Sequence, residues 1–115
     1  MTITLEGCPP SLNAFAGRSN TWQYRKEKAK WTHMVESIGE MIAPPRPYEK
    51  AKIIITYYFP TNARHDADNY AGKFLLDGLT KAGIIVDDDL KHITTEIRGE
   101  VDKTNPRTVI KIFDL

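Results

Sequence analysis

The order of apolar and polar positions changes period several times along the chain. Thr2 to Glu6 alternates and is rich in β-branched residues, the pattern of a half-buried strand, and Gly7 ends it. Pro9 and Pro10 exclude helix or central strand, so a loop through Ser11 and Asn13 is expected. From Thr21 onward the period lengthens. Trp31, Met34, Val35, Ile38, Met41 and Ile42 recur at three- and four-residue spacing, which predicts an amphipathic helix that Pro44, Pro45 and Pro47 bring to an end. Ala51 to Phe59 is nearly continuous in apolar residues and reads as a central strand covered on both faces. Pro60 and Asn62 open a loop. A second helix is predicted from about Asn69 to Ala82, with Gly83 as its C-cap and Ile84 to Val86 as an extended apolar run beyond it. Two further strands, around Ile93 to Val101 and Thr108 to Phe113, flank the polar turn Asp102 to Arg107 and are expected to pair as a closing hairpin. The fold class that results is α/β (α+β): a small mixed β-sheet of about four to five strands with two main helices.

Length and charge narrow this picture. At 115 residues the chain suits one domain, spanning 1–115, with a core large enough to need no disulfide. Cys8 is the only cysteine, which excludes an internal disulfide, suits a reducing cytoplasm and reads as a packing thiol. Met1 to Glu6 lack the basic start and apolar core of a signal peptide, and no apolar run approaches membrane-spanning length, so a cytoplasmic protein without membrane contact is expected. The net charge of +1 does not itself announce a nucleic-acid binder, but the charge is unevenly distributed. Residues 18–30 hold Arg18, Arg25, Lys26, Lys28 and Lys30 against Glu27, with Trp22 and Tyr24 among them. Positive charge mixed with stacking surface suits DNA; the same residues also fit a solvated helix end with core aromatics.

The acidic counterpart runs from Arg64 to Asp89 and gathers six Asp in twenty-six residues. Asp66 and Asp68 are two apart, so in an extended segment their carboxylates point to the same side. The predicted helix carries the chain about 21 Å away at ~1.5 Å per residue, and an extended return at ~3.3 Å per residue recovers about 20 Å, bringing Asp88 back beside them. Three converging carboxylates repel one another unless a hard divalent cation held through oxygen ligands compensates, and Mg²⁺ is the expected cofactor, with no organic group. The residues also admit a plainer reading: Asp68 as a helix cap, Lys73 paired with Asp77 one turn on, and Asp87 to Asp89 as a solvated turn.

The stretch resembles the signature of the RusA-type Holliday junction resolvases. Asp66-Ala67-Asp68-Asn69, then Lys73, then Asp77-Gly78-Leu79-Thr80-Lys81-Ala82-Gly83, then Asp87-Asp88 follow that family's order, and Pro9-Pro10-Ser11-Leu12-Asn13 is similar to its N-terminal motif. The resemblance implies an Mg²⁺-dependent endodeoxyribonuclease that resolves four-way junctions by paired phosphodiester hydrolysis. Asp66, Asp68 and Asp88 are then the metal ligands, and Lys73 is a catalytic contact to the phosphate or leaving oxygen. The loop of Asn13 lies near the site, and Asn13 and Arg64 join Arg18, Arg25, Lys26, Lys28 and Lys30 as DNA contacts. A two-fold symmetric substrate requires two cuts, so a homodimer is expected. His33, His65 and His92 read as surface residues with no part in the chemistry. Two other readings remain open: a metal nuclease acting on flaps or forks, and a DNA-binding protein without catalysis.

Overall fold

The computed structural model describes residues 1–15, 21–70 and 72–115, with the backbone alone at 67 and 68. Thr2–Glu6 forms strand β1, and its alternation turns Ile3 and Leu5 inward. Helix α1 (Thr21–Ile42) buries Trp31, Thr32, Val35 and Gly39. Met34 and Ile38 are half-buried, while Met41 at 85% exposure lies beyond the core, so the predicted apolar stripe serves only the middle of the helix. Strand β2 (Ala51–Phe59) buries alternate residues, Ala51, Ile53, Ile55, Tyr57 and Phe59. The residues between them are half-buried, which corrects the expectation of full cover on both faces. Helix α2 (Leu76–Lys81), strand β3 (Ile93–Val101) and strand β4 (Arg107–Asp114) complete an α+β domain. No helix among the described residues is long and apolar enough to cross a membrane.

The sheet order is β1-β4-β2-β3, with β3 parallel to β2 and β4 antiparallel to both β1 and β2. The closing hairpin expected of β3 and β4 is therefore not formed: β2 stands between them. Its inward residues are all buried, the most apolar run of the chain, and a central position covers more of it than an edge would. The connection from β3 to β4 arches over the end of β2 instead. Asp102 N–H donates to the Phe59 carbonyl at 2.8 Å, and the Arg107 guanidinium lies 3.8 Å from the Tyr58 ring centre. The Asp102 carboxylate shapes that arch by accepting from the Thr104 and Asn105 amides and from Arg107 at 3.2, 3.1 and 2.8 Å.

The second helix is shorter than its pattern predicts. Ala67–Tyr70 is a 3₁₀ turn, and α2 starts only at Leu76. Gly72 lies between them at φ +91°, a left-handed conformation that interrupts a helix. A Cβ there would come within 2.7 Å of Ile55 Cδ1, so the glycine lets the backbone lie against β2. The far end follows prediction. Gly83 at φ +80° donates to Thr80 O at 3.1 Å and Ile84 N–H to Leu79 O at 3.0 Å, a Schellman closure. The two helices meet at glycines: a Cβ on Gly78 would sit 2.6 Å from Val35 Cβ and one on Gly39 2.8 Å from Ala82 Cβ. Ile84 to Val86 is no full strand; Ile85 makes one isolated parallel bridge with Tyr48, just ahead of β2.

Candidate functional site

Two segments far apart in sequence meet where the chain leaves β2. The 3₁₀ turn Leu12–Phe15, which carries Asn13, packs against the 3₁₀ turn Ala67–Tyr70, which carries Asp68. Asn13 is exposed, and its amide is held by Ser11 Oγ at 3.2 Å. Phe15, Tyr24 and Phe74 fasten this corner to α1, with ring centres 5.7, 6.0 and 5.5 Å apart. His65, read from sequence as a surface residue, stacks on Phe59 with ring centres 3.6 Å apart, and Tyr70 meets the edges of both rings. These rings, with Tyr57, Asp66 and Arg98, line a hollow of about 90 Å³.

Asp66 is exposed and accepts from Arg64 Nε at 2.9 Å, a charged neighbour that raises the Arg64 guanidinium above its ordinary value. The Arg64 side chain, itself exposed, thus lies against Asp66. Asp68 shares the turn, but its side chain lies outside the described residues, as does Arg18. The cap reading of Asp68 does not hold for α2, which begins eight residues later with Leu75 at its N-cap and no side-chain cap bond. Lys73 does not pair with Asp77. Its Nζ lies 5.7 Å from the Tyr24 ring centre, while Asp77 holds Lys28 at 3.1 Å. That bond raises the Lys28 ammonium above its usual range.

Asp88 does not join Asp66. Val86 N–H donates to Tyr48 O at 3.1 Å and Ala51 N–H to His92 O at 2.9 Å, which ties the segment holding Asp88 to the amino end of β2. Asp66 follows the carboxyl end, beside Tyr57 and Phe59. The expected convergence fails because the long outward helix and the extended return are both missing: α2 has 6 residues and Ile84 to Val86 makes a single bridge. Partial burial, then Asp87 and Asp77, push the Asp88 carboxyl above its ordinary value.

A second donor group, absent from the sequence reading, lies here. Asp87, Asp89 and His92 each offer a ligand atom, all within 4.8 Å of one another. The spacing D-x-D-x-x-H was the available signal. Asp89 Oδ1 also caps the turn into β3, accepting from the Lys91 and His92 amides at 3.0 and 3.1 Å and contacting His92 Nδ1 at 2.5 Å. The His92 bond holds the Asp89 carboxyl below its usual range.

Of the basic stretch, Arg25, Lys26, Lys28 and Lys30 lie near the start of α1, whose first turn carries no acid to favour the helix dipole. Arg25, Lys26 and Lys30 are exposed, with Lys26 Nζ 5.2 Å from the ring centre of Trp22, itself 68% exposed. Lys28 is committed to Asp77, and Tyr24 is taken into the aromatic corner. Cys8 is half-buried, with Sγ 3.4 Å from Tyr58 O, and burial pushes its thiol up, as suits a packing residue. No family model matches the chain, and no curated protein matches it.

Proposed function

We propose that this protein is an Mg²⁺-dependent endodeoxyribonuclease, acting in the cytoplasm on four-way DNA junctions as a homodimer. The observation that carries the reading is the packing of Leu12–Phe15 on Ala67–Tyr70. The two stretches that resemble the junction resolvases are separated by more than fifty residues, and they form one corner of the fold. An acidic segment and a basic helix start adjoin there, joined through Lys73 and Tyr24 and through Lys28 and Asp77.

The donor chemistry fits magnesium. Asp66 supplies a hard, exposed carboxylate whose Oδ1 Arg64 now holds and a metal would have to share or displace, and Mg²⁺ takes one or two carboxylates, completing its octahedron with water and phosphate oxygens. Asp66 and Asp68 would hold it, so the site does not depend on Asp88 as a third direct ligand. When bound, the ion supplies a more acidic water and neutralises charge developing on the phosphate. Lys73, exposed at the same corner, stabilises the leaving oxygen. Arg25, Lys26 and Lys30 neutralise neighbouring phosphates. Asp88, with Asp87, Asp89 and His92, lies in a separate acidic group at the amino end of β2, and Mg²⁺-dependent junction cutting by Asp88→Asn tests whether it takes part.

Labelled four-way junction and linear duplex, each incubated with Mg²⁺ and with chelator, test the reading. Cutting of the junction alone, and only with Mg²⁺, is the expected result. Equal cutting of the duplex would remove junction specificity, and preference for flaps or forks would move the substrate within branched DNA. Binding without cutting under any metal would leave a non-catalytic DNA-binding protein.

A further inference from the structure

We propose that β3 is the dimer seam, pairing antiparallel with β3 of a second copy about a two-fold axis through Ile97. Among the described residues β3 is an edge strand of nine residues, hydrogen-bonded to β2 on one side only, with neither proline nor irregularity in its register. A long regular edge offers a row of backbone donors and acceptors to another strand. The residues of β3 that share a face with the buried side of β2 are left partly open: Thr95 and Gly99 are exposed, Ile97 is half-buried, and Val101 is 46% exposed.

Charge decides both the partner and the register. On the other face Glu96 and Arg98 alternate in sign, and within one chain they bond each other, Arg98 Nε to Glu96 Oε2 at 2.6 Å. Centring the pairing on Ile97 sets each Glu96 opposite the partner's Arg98, twice, and overlaps the full strand because Ile97 is its midpoint. Centring on Glu96 would oppose Glu96 to itself. Centring on Arg98 would oppose Arg98 to itself and Glu96 to Glu100. Slipping by a single residue would join opposite faces of the two sheets. Charged residues normally guard an edge against pairing; here they favour a second copy of the same chain in one register.

The axis runs perpendicular to the sheet, so both hollows beside Asp66 open to the same side of one continuous sheet. This deepens the proposed function, since paired cuts need two sites facing one junction. The test is chosen to stand apart from it, because association is measured without DNA or metal.

Sedimentation equilibrium at low salt should find a dimer. Arg98→Glu should weaken association at least about tenfold, since each opposed pair becomes Glu against Glu, and Glu96→Arg with Arg98→Glu should restore it. Should Arg98→Glu fail to fold by circular dichroism, Ile97→Cys decides. Directly opposed residues lie about 4.5 to 5.5 Å apart at Cα, within disulfide reach, so that variant should cross-link to itself on oxidation while Thr95→Cys should not. A monomer at tens of micromolar, an Arg98→Glu dimer as tight as the parent, or no Ile97→Cys cross-link would each overturn the seam, whatever the nuclease assay gives.

Discussion

Asp88 and Asp89 are neighbours with opposite electrostatic histories. The Asp88 carboxyl is held above its ordinary value by partial burial and by Asp87 and Asp77. The unfolded chain therefore releases that proton at lower pH than the native one, and stability falls as pH rises through the carboxylate range. In chelator at pH 7, Asp88→Asn should melt higher than the parent by up to a few degrees, and the gain should vanish once both states are protonated. Asp89 is the reverse. His92 lowers its carboxyl, so its contribution is present above the ordinary carboxylate range and is lost as pH falls. Asp89→Asn should melt lower at pH 7 and match the parent in acid, read by the same fluorimetric scan. Asp68→Asn carries the functional prediction. Junction cutting should drop on the order of a hundredfold or more while binding in chelator persists, and the rise in Tm on adding Mg²⁺ should disappear. A variant that cuts at the parental rate would take Asp68 out of the site.

At the scale of elements, glycine decides how close the helices come. A Cβ on Gly78 would lie 2.6 Å from Val35 Cβ and 2.8 Å from the Thr32 carbonyl oxygen, which is backbone and cannot rotate aside. Alanine gains ~1 kcal/mol in helix propensity, but overpacking costs ~1–3 kcal/mol, so Gly78→Ala should lose up to about 2 kcal/mol in urea unfolding. Gly83→Ala isolates the other property of glycine. Nothing lies within 4 Å of its missing Cβ, so only the φ of +80° is penalised, at about 1 kcal/mol. Gly78→Ala should be rescued in part by Val35→Ala, which opens space; Gly83→Ala should not.

For the whole molecule, DNA affinity should come from phosphate neutralisation along α1, and it should be independent of the metal. Every phosphate that a variant no longer neutralises should flatten the slope of log K against log salt by about 0.9. Lys28 is held by Asp77, so Lys28→Ala should flatten the slope less than Arg25→Ala with Lys26→Ala, both of which are exposed. Fluorescence anisotropy with junction DNA across a salt series measures this. An unchanged slope in the double variant would remove the start of α1 from the DNA surface.

What the residue pattern determined by itself was local. Period-two alternation marked Ile3 and Leu5 as inward, the apolar run from Ala51 to Phe59 marked the central strand, the prolines after Ile42 ended α1, and Gly83 closed α2. Each is decided by sterics or by burial within a few residues, so each is visible in a short window. The partners of the strands were not visible in this way. A short polar turn between β3 and β4 reads as a hairpin until β2 competes for the place between them, and that competition is settled by the core of the whole sheet. Gly72 likewise falls inside the predicted helix, and neither its left-handed φ nor the close approach of Ile55 that leaves no room for a Cβ is visible in the pattern. With that turn the long helix is gone, and the separation of Asp88 from Asp66 follows from tertiary contacts that no spacing along the chain encodes, whereas the gathering of His92 with Asp87 and Asp89 is local and was legible in the D-x-D-x-x-H spacing.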